Sequence, residues 1–141
     1  MQQPSARPPK KKKVLFVCLG NSCRSQMAEG FARVLGSDVL EAASCGIAPA
    51  PSVSRLTRQV MAERGIDVSA HYPKSLGEVP IEEFDVVVNM SGMMLPVDVD
   101  SRLLHWDVTD PMGGPRELYD QVADRIRSLV EGLIEELRSR P

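Results

Sequence analysis

Nowhere in the chain does an apolar run approach the roughly 18 residues that a bilayer-spanning helix needs, and no hydrophobic segment of signal-peptide type follows the charges of its opening MQQPSARPPKKKK. The expectation is a soluble, cytoplasmic protein with neither a membrane helix nor a secretory leader, and no membrane partner. Cysteine is scarce and odd in number: there are three, two of them in one short loop. That does not make the framework of a small secreted domain; it suggests free thiols in a reducing compartment. The two histidines, His71 and His105, stand far apart and offer no metal-ligand spacing, so no metal is expected. There is no internal repeat, and no low-complexity segment beyond Lys10 to Lys13.

What is present is enough for one core, since 141 residues is an ordinary size for a single domain. The net charge of −2 conceals an asymmetry: residues 1–13 hold Arg7 and Lys10 to Lys13 with no acid, whereas residues 14–141 carry 12 bases against 19 acids. The first segment reads as a flexible, solvated basic arm, 1–13, ahead of a domain spanning 14–141, with no nucleic-acid partner implied. An acidic domain that binds an anion must make positive potential locally, from backbone amides and one or two placed cations. Such a site belongs in a loop.

The element pattern alternates. Val14 to Val17 is a buried strand running into the polar stretch Cys18 to Ser25. Met27, Ala28, Phe31, Ala32 and Leu35 then recur at helical spacing, with Glu29 and Arg33 on the opposite face and Gly36 as the stop. Val39 to Cys45 reads as a second strand. Val53, Leu56, Val60 and Met61 predict a second helix closed by Gly65. Phe84 to Met90 and Arg102 to Val108 read as strands three and four, and Leu118, Val122, Ile126, Leu129, Leu133 and Leu137 form the stripe of a long last helix with Pro115 in its first turn. Alternating strands and helices predict an α/β fold with a parallel sheet covered on both faces. Its ligand should sit beyond the carboxyl ends of the strands.

The loop Cys18-Leu19-Gly20-Asn21-Ser22-Cys23-Arg24-Ser25 carries the chemistry. A turn between a strand and a helix amino terminus aims its amides inward at one anion, and Gly20 and Asn21 supply the left-handed conformations such a curl needs. Arg24 adds a charged fork for two oxygens of that anion. Amides and helix dipole together favour a thiolate, which makes Cys18 a nucleophile, with Ser25 as a hydrogen-bond donor to it. A thiolate that attacks a phosphoester needs an acid for the departing oxygen, from another loop at the same sheet edge. Asp110, stiffened by Pro111, fits that role, and Asp107 competes for it.

These residues resemble the low-molecular-weight protein tyrosine phosphatase superfamily, which includes the thioredoxin-coupled arsenate reductases. The resemblance rests on Val14-Leu15-Phe16-Val17-Cys18 running into Gly20-Asn21-Ser22-Cys23-Arg24-Ser25-Gln26-Met27-Ala28-Glu29-Gly30, on Ser44-Cys45-Gly46, and on His105-Trp106-Asp107 through Asp110-Pro111. Its Asn-Ser-Cys-Arg-Ser-Gln-Met-Ala-Glu form is most similar to the reductase branch. The resemblance implies a single-domain, three-layer α/β fold with a four-stranded parallel sheet of order 2-1-3-4 flanked by helices. It further implies Cys18 as nucleophile, Arg24 as oxyanion clamp, Asp110 as general acid, and Asn21 and Ser25 as supports in an oxyanion loop that also contains Leu19, Gly20, Ser22 and Cys23.

Two departures matter. The reductases relay electrons through further cysteines after the third strand, where this chain reads Val88-Asn89-Met90-Ser91-Gly92-Met93-Met94; an internal cascade through that segment is excluded. The tyrosine phosphatases line their pocket with aromatics where this chain has Ile47-Ala48-Pro49 and Met112-Gly113-Gly114, and each lost stacking contact is worth about 0.5 to 1.5 kcal/mol. Cys23, five positions from Cys18, is a candidate redox backup, and Cys45 reads as core. Three functions are therefore open. They are a cofactor-free phosphatase acting on a phosphoprotein or small phosphomonoester, an arsenate reductase using an external thiol such as glutathione or mycothiol, and a non-hydrolytic phosphoryl carrier or anion-binding module. Asp110 argues against the last. A monomer is the expected state.

Overall fold

A computed structural model describes residues 10–140. The central strand, β1 (Lys12–Cys18), is buried from Val14 onward, as its apolar run requires. It pairs in parallel with β2 (Leu40–Gly46) on one side and β3 (Val86–Asn89) on the other, and β3 carries the edge strand β4 (Arg102–His105). The resulting order is β2-β1-β3-β4, as the resemblance implied. The chain reverses direction across the sheet at β1, so the switch point, where such folds place their ligands, lies at the carboxyl end of the strand carrying Cys18.

The two faces of β1 enter different cores. Val14 and Phe16 pack with α1 (Arg24–Leu35), α2 (Arg55–Glu63) and α3 (Arg116–Ser139). Leu15 and Val17 face Val87, Cys45 and Phe84, together with Leu76 and Ile81 from two 3₁₀ turns, Leu76–Glu78 and Ile81–Glu83. The structure therefore has three layers, but the second helical layer consists of short 3₁₀ turns that periodicity could not reveal.

Boundaries shift where hydrogen bonding overrides apolar pattern. β1 begins at Lys12 rather than Val14, because the Lys12 amide reaches Val39 O and the Lys13 amide reaches the Asp85 carboxylate. The last two lysines of the expected basic arm thus belong to the sheet, and residues 1–9 lie outside the described residues. β4 stops at His105, so 106–108 belong to the following loop rather than to the strand. Pro115 precedes α3 as its N-cap instead of standing in the first turn. Among the described residues no helix is long and apolar enough to cross a membrane.

Candidate active site

The loop after β1 is built from its carbonyls outward. The oxygens of Cys18, Leu19, Gly20 and Ser22 accept the amides of Ile47, Ala48, Ala50 and Ser54 at 2.8 to 3.1 Å, so the segment after β2 splints the loop from outside. The Asn21 carbonyl accepts the Gln26 amide side chain, and that of Cys23 accepts the Met27 amide. With every carbonyl from Cys18 to Cys23 turned away, the amides of Leu19 to Ser25 are left with no acceptor among the described residues. Free N–H groups around a curl that opens the buried helix α1 form an anion nest.

Asn21 takes the left-handed conformation at φ 49°, as anticipated, but Gly20 does not. Gly20 has room for a side chain, the nearest contact for a Cβ being Ala50 Cβ at 3.7 Å. The glycine the loop requires is Gly46. A Cβ there would lie 2.8 Å from Leu19 O and 2.9 Å from Asn21 N, both backbone atoms. Gly46→Ala is accordingly expected to destabilise the fold by about 1 to 3 kcal/mol and to displace the loop; its urea midpoint and its turnover should both fall.

Asn21 is also the hub of a buried network. Its Nδ2 donates to Ser25 Oγ at 2.7 Å and to Ser44 Oγ at 2.9 Å, and its Oδ1 accepts the Lys74 amide. Ser25 Oγ lies 2.9 Å from Cys18 Sγ. Because Asn21 fills an acceptor site of Ser25, the serine proton is free to point at sulfur, which is how a thiolate is solvated. Ser44 donates to Glu29 at 2.6 Å. Glu29, expected on a solvent face, is only 3% exposed; its charge is answered by Arg33 at 2.7 Å and by the Ser44 hydroxyl. His71 hydrogen-bonds Gln26 Oε1 at 2.8 Å, and burial holds it below its ordinary pKa against the opposing pull of Glu29. Spacing could not announce this network, since its members come from the loop after β1, α1, β2 and the 67–75 segment.

Arg24 is 6% exposed. Its Nη1 donates to Met90 O at 2.6 Å and Val108 O at 3.2 Å, which pins the guanidinium to the ends of both outer loops. Its Nη2 lies 3.5 Å from Asp110 Oδ2. Nη1 is therefore structural, and the fork available to an anion is the Nε–Nη2 edge. Asp110 Oδ1 accepts the Met112 amide, an Asx-type turn that fixes the carboxyl over the cleft. That cleft, about 300 Å³, is lined by Cys18, Leu19, Arg24, Ala48, Asp110 and Met112. Asp107 does not line it. Among the described residues no aromatic does either, in keeping with Ile47-Ala48-Pro49 and Met112-Gly113-Gly114.

Cys23 and Cys45 are buried, and burial pushes both thiols from 9.0 up to about 12. They stay protonated at neutral pH, so iodoacetamide at pH 7.5 should alkylate Cys18 alone, as peptide mass mapping would register. In the alkaline range the folded state holds these two protons more tightly than the unfolded chain does. Stability should therefore be intact below about 9 and fall as pH rises toward 12, a trend that urea titrations at stepped pH would follow.

A parallel sheet that delivers a cysteine into a ring of free amides closed by a buried arginine defines an oxyanion-handling α/β enzyme. The profile of the family described as low molecular weight phosphotyrosine protein phosphatase matches residues 13–140, and the chain belongs to that family. It is 37% identical over 127 residues to a protein of a Synechocystis species named glutaredoxin arsenate reductase, covering 87% of this chain and 96% of that one. Among solved structures it resembles an arsenate reductase in the phosphate-binding state, with a TM-score of 0.84, 35% identity, and coverage of 89% of this chain and 98% of that one. It also resembles the low molecular weight protein tyrosine phosphatase of T. tengcongensis, with a TM-score of 0.76 and 34% identity over 89% of this chain and 99% of that one.

Proposed function

We propose that the chain is a monomeric, cytoplasmic, cysteine-dependent phosphatase that hydrolyses phosphomonoesters through a phosphocysteine intermediate. The observation that carries this reading is the placement of the Asp110 carboxyl, over the same cleft as Cys18 and 3.5 Å from the Arg24 guanidinium. The loop amides and the Nε–Nη2 edge of Arg24 hold the phosphoryl oxygens. The Cys18 thiolate attacks phosphorus as the bond to the leaving oxygen breaks, and Asp110 gives that oxygen its proton. Water then attacks the phosphocysteine and yields its proton to Asp110. The sulfur–phosphorus bond breaks, restoring the thiolate and releasing inorganic phosphate.

Arsenate reduction is the second reading, favoured by the names of the relatives. Arsenate in the same loop would need a second thiol to carry away the oxidation. Cys23 and Cys45 are buried and protonated, and the 89–94 segment has no cysteine. Asn89 instead locks that segment by donating to Met93 O at 2.7 Å and accepting from Ser91. A reductase built this way depends on an external thiol of the glutathione or mycothiol type. The readings separate in one assay series: p-nitrophenyl phosphate alone, then arsenate with thioredoxin or with glutathione and glutaredoxin, each blanked with Cys18→Ser. Phosphate release without arsenate reduction is the expected result; arsenate reduction that needs the low-molecular-weight thiol, without phosphate release, overturns it.

A further inference from the structure

A second cavity, about 390 Å³, lies between the loop after β3 and the loop after β4 and is lined by Arg24 but not by Cys18. Arg24 is common to both cavities, so they lie one side chain apart. The walls are unusual for a surface. Met93 and Met94 are 53% and 91% exposed, facing a half-buried Trp106 that is itself braced against Phe16 at 5.8 Å between ring centroids. Methionines and an indole make a pliant trough suited to a long aliphatic stem.

Four polar side chains line it, Arg24, Asn89, His105 and Asp107; two of them are committed, and His105 is exposed with no ion pair or side-chain hydrogen bond among the described residues. Asn89 is consumed within its own turn, and Arg24 is tied to two carbonyls and to Asp110. Asp107 is exposed, lines the trough, and has no ion pair or side-chain hydrogen bond among the described residues. It also borders a cleft that holds Arg125, yet forms no ion pair with it. An apolar trough beside an indole, ending at an unpaired carboxylate, matches a side chain with an aliphatic stem and a cationic head. The wider field agrees, since residues 14–141 carry 12 bases against 19 acids and so attract basic partners.

We propose that this cavity is a specificity subsite for a lysine or arginine neighbouring the phosphorylated residue, so that the preferred substrate is a basic phosphoprotein segment rather than a free phosphomonoester. The inference rests on the phosphatase reading for its biological sense, but the subsite is measurable without turnover. Consecutive residues of an extended peptide are about 3.3 to 3.6 Å apart, so a residue one or two positions from the phosphoryl group can cross Arg24 and enter the trough.

The test uses the full chain with two peptide series, phosphotyrosine and phosphoserine, each carrying lysine, norleucine or glutamate beside the phosphorylated residue. Binding is read on Cys18→Ser by fluorescence anisotropy, and kcat/KM on the active protein. The lysine peptides should bind about tenfold more tightly than the glutamate peptides at low salt, with norleucine between them. In the Asp107→Asn background that gap should close, while hydrolysis of p-nitrophenyl phosphate stays unchanged. No lysine preference in either series, including no binding at all, overturns the subsite, and so does a preference that survives Asp107→Asn. Hydrolysis without the preference rejects the subsite and keeps the phosphatase; preferential binding without hydrolysis does the reverse.

Discussion

Cys18→Ser should lower turnover of p-nitrophenyl phosphate by about 10⁴-fold or more, the scale seen when a covalent nucleophile is removed, while leaving the fold nearly as stable as before. The loop is held by carbonyls that accept amides from 47 to 54, and none of those bonds involves the sulfur. Serine also preserves the contact with Ser25 Oγ, which sits 2.9 Å from Sγ. The anion nest should therefore survive. Inorganic phosphate should raise the melting temperature of Cys18→Ser as it does that of the unaltered protein, by mass action on the folded state. A variant that loses activity and phosphate binding together would mean that Cys18 supports the loop rather than the reaction.

Asp110→Asn should be the second large effect, and its size should depend on the leaving group. With an alkyl phosphate, whose departing oxygen needs a proton, kcat should fall by about 10² to 10³-fold. With p-nitrophenyl phosphate, whose phenolate leaves unassisted, the first step should suffer far less and the loss should move to hydrolysis of the intermediate. Stability should change little, because the carboxyl is 41% exposed and its 3.5 Å contact with Arg24 is a partly solvated ion pair, worth at most about 1 kcal/mol. Asp107→Asn supplies the contrast, since Asp107 lies outside the cleft that contains Cys18. Equal losses in the two variants would remove Asp110 from its assigned role.

Much of this arrangement was legible in the residues alone. A short apolar run ending at a cysteine, an arginine six positions later and an Asp-Pro after the last strand are local signals, and the structure brings all three to one sheet edge. Asn21 was legible for the same reason, because a left-handed turn is a property of its own backbone. Gly20 was misread by that logic: its neighbour alone carries the positive φ. The actual steric demand falls on Gly46, where β2 passes against the loop, and no spacing within the loop reveals it. Glu29 looked like a solvent-facing residue because helical periodicity assumes one buried face, whereas α1 is buried from Arg24 to Ala32 on nearly every side. Its ion pair with Arg33, the hydrogen bond it accepts from Ser44, and the contact of Gln26 with His71 exist only after the chain has folded. The 3₁₀ turns of the second layer were invisible because three residues are too few to show a period.

The most direct test of the account is to catch the covalent intermediate. Asp110→Asn mixed with p-nitrophenyl phosphate and quenched in acid within the first turnover should carry one phosphoryl group, recovered by peptide mass spectrometry on Cys18 and missing from Cys18→Ser. A quenched protein with no phosphoryl adduct, or with the adduct on another side chain, would contradict the assignment of Cys18 as the nucleophile of a phosphatase.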